Sequence, residues 1–204
     1  MRYTRAVTYV LLAACMAGCQ PAPTPTPSSP SVVATGPDIE PTYECTPEFP
    51  SPSPSPRPTT CSKDAYDRMK ARDTQYAEAE RIYRQFHDID ARLAQGDMSA
   101  GDELDHVATA ETKDQVLRVY RKDRSDGISL QGESKLIWIN RFRDVKPTSL
   151  LALEGCIDSS GAKIIRQDRE IGSGGYLREV VDLKLVSGKP VIWHVRSALQ
   201  DSCG

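Results

Sequence analysis

Thirteen of the chain's 15 prolines fall between Pro21 and Pro58; the other two are Pro147 and Pro190. Proline removes a backbone donor and clashes with the preceding helical turn, so a stretch this dense forms neither a helix nor an interior strand. The runs Pro21-Ala22-Pro23-Thr24-Pro25-Thr26-Pro27 and Ser51-Pro52-Ser53-Pro54-Ser55-Pro56 favour extended polyproline II. Such a segment is a semi-rigid spacer of about 3.1 Å per residue where extended. Its Ser/Thr/Pro richness admits O-glycosylation, although a plain linker is the simpler reading. Roughly 140 residues are left to build a core, which suits one domain burying about two thirds of its unfolded surface. The expected division is a leader at 1–18, a disordered Pro/Ser/Thr-rich tether at 19–60 and a folded domain at 61–204.

The leader places Arg2 and Arg5 ahead of an uncharged run from Ala6 to Ala17, then Gly18-Cys19. Positive charge, a short apolar run and small residues mark a secretory signal. The run is too short for a stable transmembrane helix. Leu12-Ala13-Ala14-Cys15 and Met16-Ala17-Gly18-Cys19 both resemble the bacterial lipobox, whose cysteine is lipidated and becomes the mature N-terminus. The longer apolar run and the Gly18-Cys19 step favour Cys19, whereas Leu12 favours Cys15. An ordinary cleaved signal peptide is the rival. The lipobox reading implies a palmitate-type acyl anchor and a location on the outer face of the cytoplasmic membrane, in the cell envelope. Each buried CH₂ of such an anchor contributes about 0.8 kcal/mol. Losing residues 1–18 also loses Arg2 and Arg5, so the mature chain is more acidic and the acyl chains must hold it to the membrane.

Charge and motifs exclude several classes. With 26 basic and 28 acidic residues, the chain lacks the basic excess of a protein that grips nucleic-acid phosphates. No apolar run is long enough for a polytopic membrane protein. Gly172-Ser173-Gly174-Gly175 has no Lys-Ser/Thr partner and reads as a hairpin loop rather than a phosphate cradle. No strand–turn–helix nucleophile elbow is recognisable. Outside the leader, Cys45, Cys61, Cys156 and Cys203 form an even set in an exported chain, which allows three pairings. Cys156 and Cys203 lie in the two halves of a β-rich region and Cys45 and Cys61 bracket the Pro/Ser stretch, so 156–203 and 45–61 are the expected bonds. Each closes a loop worth about 3–4 kcal/mol in the chain-entropy treatment. No CxxC spacing exists, and no metal or cofactor is expected.

The remaining pattern is helical first and β afterwards. Residues 62–94 carry no proline or glycine, and Tyr76, Ala79, Ile82, Tyr83, Phe86, Ile89 and Leu93 recur at helical spacing. Lys70, Arg72, Asp73, Glu80, Arg81 and Arg84 make an opposite, solvated face, and Ser62 is the expected N-cap. Short helices are expected at about 101–108 and 111–124, the second with Val116, Leu117 and Tyr120 as its apolar strip. From Ile128 the period falls to two. Leu136, Trp138 and Phe142 alternate, Leu150 to Ile157 is mostly apolar, Val181, Leu183 and Leu185 alternate with Asp182 and Lys184, and Val191, Trp193 and Val195 alternate with His194 and Arg196. These are strands of a half-covered antiparallel sheet, with a hairpin turn at Ser187-Gly188-Lys189. The class is α+β.

The long helix behind a Pro/Thr-rich tether, the strand Glu154-Gly155-Cys156-Ile157-Asp158 and the closing segment Leu185 to Val195 followed by Cys203 resemble actinobacterial lipoproteins with an NTF2-like domain of the SnoaL and ketosteroid-isomerase fold group. The resemblance covers about 62–204. It implies a cone in which the long helix and two short helices pack on a curved antiparallel sheet, with Trp193 inside and often a cavity. Sheet-face homodimers are common in that group. Four residues, Lys189 to Ile192, separate Gly188 from Trp193, a stretched spacing that touches the hairpin register.

Catalysis on such a scaffold needs ionisable groups lining the cone. His87, beside Asp88 and Asp90, and His106, beside Asp105, read as surface helix residues; His194 falls outside if Trp193 lies inside; Asp158 reads as a turn residue capping Ser159-Ser160-Gly161. No catalytic residue is therefore assigned. The expected role is a non-catalytic, lipid-anchored envelope protein that engages another envelope component. Binding a small apolar ligand or lipid in the cone is the first alternative, and a superinfection-exclusion lipoprotein of phage or prophage type is a second. Ketosteroid-isomerase-like chemistry would require a carboxylate or imidazole in the lumen.

Overall fold

The computed structural model describes residues 41–49 and 58–204. The leader, both lipidation candidates Cys15 and Cys19, and tether residues 19–40 and 50–57 lie outside the described residues. The folded unit starts at Thr42 rather than at Cys61. Strand β1 (Tyr43–Cys45) pairs antiparallel with β2 (Thr59–Cys61), and Cys45 is bonded to Cys61 across the ladder. The segment after β1 is clamped further: Glu48 accepts a 3.1 Å hydrogen bond from Tyr76 Oη, and Arg141 Nη1 donates to the Glu48 carbonyl at 3.3 Å. Part of the expected tether is thus stapled to the domain.

Helix α1 (Lys63–Ala94) is 32 residues, about 48 Å at 1.5 Å per residue. Ser62 caps it, accepting from the Ala65 N–H at 3.3 Å. The chain leaves it through Gly96. The apolar stripe read from the sequence is buried along its length. The charged face is less solvated than expected: Arg72 and Asp73 are half-buried, and Asp73 pairs with Arg72 at 3.2 Å and Arg141 at 3.0 Å. The next helical piece is a 3₁₀ segment, Met98–His106, earlier than the expected 101–108 because Asp97 caps it. Helix α2 (Ala110–Ser125) is capped by Thr109 and buries Leu117, with Val116 and Tyr120 packed against the core.

Strands β3 (Ile128–Gln131), β6 (Lys163–Arg166) and β7 (Arg169–Ser173) form one antiparallel sheet in the order β3-β6-β7. Strands β4 (Lys135–Phe142), β5 (Leu151–Asp158), β8 (Tyr176–Val186) and β9 (Lys189–Gln200) form the larger one, antiparallel in that order. The class is α+β. Leu151, Leu153, Val181, Leu183 and Ile192 join the α1 stripe in one core. The β8–β9 hairpin turns at Ser187-Gly188, both at positive φ (51° and 78°), which suits a two-residue primed turn and favours glycine at its second position.

Three local readings change. Gly172-Ser173-Gly174-Gly175 is not a hairpin loop; it carries the chain from one sheet to the other, and the hairpin there turns at Gln167-Asp168 between β6 and β7. A register shift between Leu136 and Trp138 puts these two on opposite faces, so Trp138 leaves the core and donates from Nε1 to the Cys203 carbonyl at 2.6 Å. A second shift pairs Leu183 with Ile192 and Asp182 with His194, leaving Trp193 as the extra residue of a bulge. Ile192 therefore fills the core position expected for Trp193, and the Trp193 indole donates to Ser149 Oγ at 3.0 Å. Cys156 is bonded to Cys203, folding the C-terminal tail over the sheet face away from α1. That face also buries Asp182 completely, 3.3 Å from Arg196 Nη2, where a solvated residue was expected.

Candidate ligand pocket

On α1, Tyr83, Phe86, His87 and Asp90 fall at i, i+3, i+4 and i+7, one face of the helix. On β8 the period of two sends Leu177, Glu179, Val181 and Leu183 toward that face. In the ladder Glu179 stands between Gly155 of β5 and Ser197 of β9. A Cβ at residue 155 would meet Tyr83 Oη at 2.5 Å, so glycine there leaves room for the tyrosine against the sheet. Glu179 is 7% exposed, and Ser197 Oγ donates to its Oε2 at 3.2 Å.

Here α1, α2, β3 and the larger sheet border a half-open cavity of about 290 Å³. Its walls include Phe86, Val116, Tyr120 and Ile157, with Asp90 and Glu179 as its two carboxyl groups. A larger hollow of about 540 Å³ shares Ala94, Tyr120 and Leu130 with it and continues past Met98 and Ile128. Burial pushes the Glu179 carboxyl up to about 7, repulsion from Asp90 adds to this, and the Tyr83 and Ser197 hydroxyls oppose it. Burial likewise raises Asp90, against the Tyr120 hydroxyl and nearby His87. Burial first, then the adjoining carboxyls, pushes the phenols of Tyr83 and Tyr120 up. Tyr83 Oη is fully buried with the Glu179 carboxyl as its neighbour, and each biases the other's ionisation.

His87 is the clearest departure from expectation: it is 5% exposed rather than on the surface. It lies one turn beyond Tyr83, on the inward face. Its Nε2 is 3.2 Å from the Ser134 carbonyl, and its Nδ1 is buried without a partner. Ser159 Oγ donates to Ser134 Oγ at 2.9 Å, and both serines line the cavity. His106 is exposed at the end of the 3₁₀ segment. His194 stands on the far sheet face, its Nδ1 3.4 Å from Asp182 Oδ2. It is outside the cavity although Trp193 is not in the core, because the bulge hands the inward position to Ile192. Asp158 accepts from Ser160 N–H at 2.9 Å and Ser160 Oγ at 2.7 Å, a turn contact that holds its carboxyl below the usual range. Among the described residues no group of three His, Cys, Asp or Glu side chains gathers as a metal site, and no helix is long and apolar enough to cross a membrane.

The cavity thus contains two carboxyls that the sequence pattern did not assign. Both were signalled by period: Glu179 is two residues before Val181, and Asp90 is four after Phe86.

No protein-family model matches the chain, and no curated protein matches it. Among solved structures it is similar to the intermembrane space region of the chloroplast protein ARC6, at 12% identity over 60% of this chain and 95% of that one, with a TM-score of 0.46. It is also similar to a de novo designed β-sheet protein, at 11% identity over 62% of this chain and 92% of that one, with a TM-score of 0.39.

Proposed function

We propose that the chain is an exported, lipid-anchored cell-envelope protein whose folded unit, an NTF2-like cone, binds a small, largely apolar molecule. The lipobox-like Cys19, or Cys15, supplies the anchor, the proline-rich segment the spacing, and the two disulfides suit an oxidising compartment. The observation that carries the binding reading is the cavity of about 290 Å³ between α1, α2 and the larger sheet, apolar on most sides with a few convergent polar groups. Ligand binding is therefore preferred to a purely protein-docking role.

The test is small-molecule mass spectrometry of organic extracts from full-length protein purified from membranes, wild type beside Val119→Trp. Val119 lines the cavity and is 57% exposed, so a larger ring can fill the space without displacing the core. A low-mass species enriched with the wild type and lost with the variant is the expected result; identical extracts would overturn the reading.

One observation favours a second reading, docking of a partner protein. Leu199 pairs with Leu177, a cavity residue, and is 81% exposed. With Val119 it leaves large apolar side chains in water next to the cavity. Crosslinking in intact cells with a photoreactive residue at 199 tests it: a discrete adduct supports docking, and none counts against it.

A further inference from the structure

At the end of the larger sheet away from the cavity, the loop between β4 and β5 meets the β8–β9 hairpin. The Leu150 N–H donates to the Leu183 carbonyl at 2.7 Å, and Trp193 Nε1 to Ser149 Oγ at 3.0 Å. Large apolar side chains stand in water here: Leu185 is 52% and Val186 45% exposed, and Leu150 is exposed beside them. Trp193 is half-buried, with the ammonium groups of Lys146 and Lys184 5.4 and 5.6 Å from its ring. Among the described residues neither lysine has a carboxylate partner, whereas Lys63, Lys113, Lys122, Lys135 and Lys163 each have one. Residues 143–150 and 184–191 together carry Arg143, Lys146, Lys184 and Lys189 against a single acid, Asp144, although the chain as a whole is slightly acidic. Exposed aliphatic tips, an indole, and lysines whose stems cross apolar surface form the combination that suits a bilayer interface. The start of the folded unit lies against the same end. Arg143 Nη2 donates to the Phe49 carbonyl at 3.4 Å, its guanidinium lies 5.3 Å from the Phe49 ring, and Arg141 holds the Glu48 carbonyl.

Resting on the anchored reading above, we propose that this end is a second membrane contact: Leu185 and Val186 enter the headgroup region of an anionic bilayer, and Lys146 and Lys184 face its phosphates. The chain from Cys19 to the folded unit at Thr42 is short enough to keep the unit within about 80 Å of the anchor. Tethering makes the contact intramolecular, so a modest affinity is enough to hold it. Each lysine near such a surface adds about fivefold to partitioning, and the pair about thirtyfold. Leu177, at the cavity, lies eight residues before Leu185 along β8, about 26 Å away, so the docked hairpin leaves the cavity clear of the lipid.

The test places an added tryptophan at the hairpin or at the cavity. Full-length Val186→Trp and Val119→Trp, extracted from membranes and never reduced, are reconstituted into vesicles whose acyl chains carry bromine, which quenches an indole in contact with it. One set is phosphatidylcholine with an equal part of phosphatidylglycerol, the other phosphatidylcholine alone. Trp138 and Trp193 are common to both proteins, so the difference from wild type reports the added ring. In the anionic vesicles the ring at 186 should be quenched and the ring at 119 should not. Neutral vesicles, or Lys146→Gln with Lys184→Gln, should weaken the contact about thirtyfold and bring the ring at 186 to the level of 119. Flotation of the same samples reads the anchor separately. Chains that float but show equal quenching at the two positions, or quenching at 186 indifferent to charge, overturn the membrane contact, keep the anchored reading and leave the surface to a protein partner. Chains that float with neither vesicle overturn both.

Discussion

Glu179→Gln should make the folded protein's stability respond differently to pH, with a size that follows from the site. The carboxyl's ordinary value is 4.5, and burial with Asp90 nearby carries it up to about 7 in the folded state. A carboxyl raised in this way holds its proton more tightly when folded. Its contribution is fully present below pH 4.5, is lost as pH rises toward 7, and is flat above that. The span of about 2.5 units at about 1.4 kcal/mol per unit corresponds to roughly 3 kcal/mol. Glutamine keeps the volume and the Ser197 contact but cannot ionise. Urea unfolding of unreduced wild type and Glu179→Gln at pH 4.5, 6 and 8 reads the difference, because carboxylates other than the coupled Asp90 affect both proteins alike. The two should be equally stable within about 1 kcal/mol at pH 4.5, and the variant should be about 3 kcal/mol more stable at pH 8. Stability curves that stay parallel across this range would refute the buried, unmatched carboxyl.

Other consequences are independent of that site's ionisation. Gly155→Ala places a methyl group 2.5 Å from Tyr83 Oη and should cost about 1–3 kcal/mol in urea unfolding; no loss would mean that the helix and sheet are less closely set. Replacing Cys156 and Cys203 together by serine opens a 47-residue separation and should cost about 4 kcal/mol by loop entropy, while altering Trp138 fluorescence because the indole donates to the Cys203 carbonyl. Tyr76→Phe removes the bond to Glu48 and should cost about 1 kcal/mol. It should also delete a phenol whose titration burial pushes up to about 12, checked by ultraviolet titration.

Much of this fold is legible in the sequence because its long elements are strongly periodic. The 62–94 stripe and the β5 run announce what they bury, and the Ser62 cap marks where α1 begins. The errors fall where one inserted residue changes a face. The shift near Trp138 and the bulge at Trp193 each break a period of two, and neither leaves a glycine or proline to flag it. The cavity acids were missed for a different reason. Polarity reads His87 and Asp90 as surface residues, although their spacing from Tyr83 and Phe86 sets them on the apolar face; Glu179 shares its face with Val181 and Leu183. At such positions periodicity is the stronger guide, and a polar residue that obeys it marks a cavity or a buried network. The start of the folded unit was hidden because Tyr43–Cys45 is too short to read as a strand before its partner and disulfide are known.

The central claim is an anchored protein with a loaded pocket, and native mass spectrometry of the full-length chain tests it most directly. The chain should be gently extracted from membranes and never reduced. The account predicts an acylated mature chain with two disulfides and one low-mass species that leaves on denaturation. An unacylated mass would contradict the anchor, and an acylated chain that carries nothing would contradict the loaded pocket.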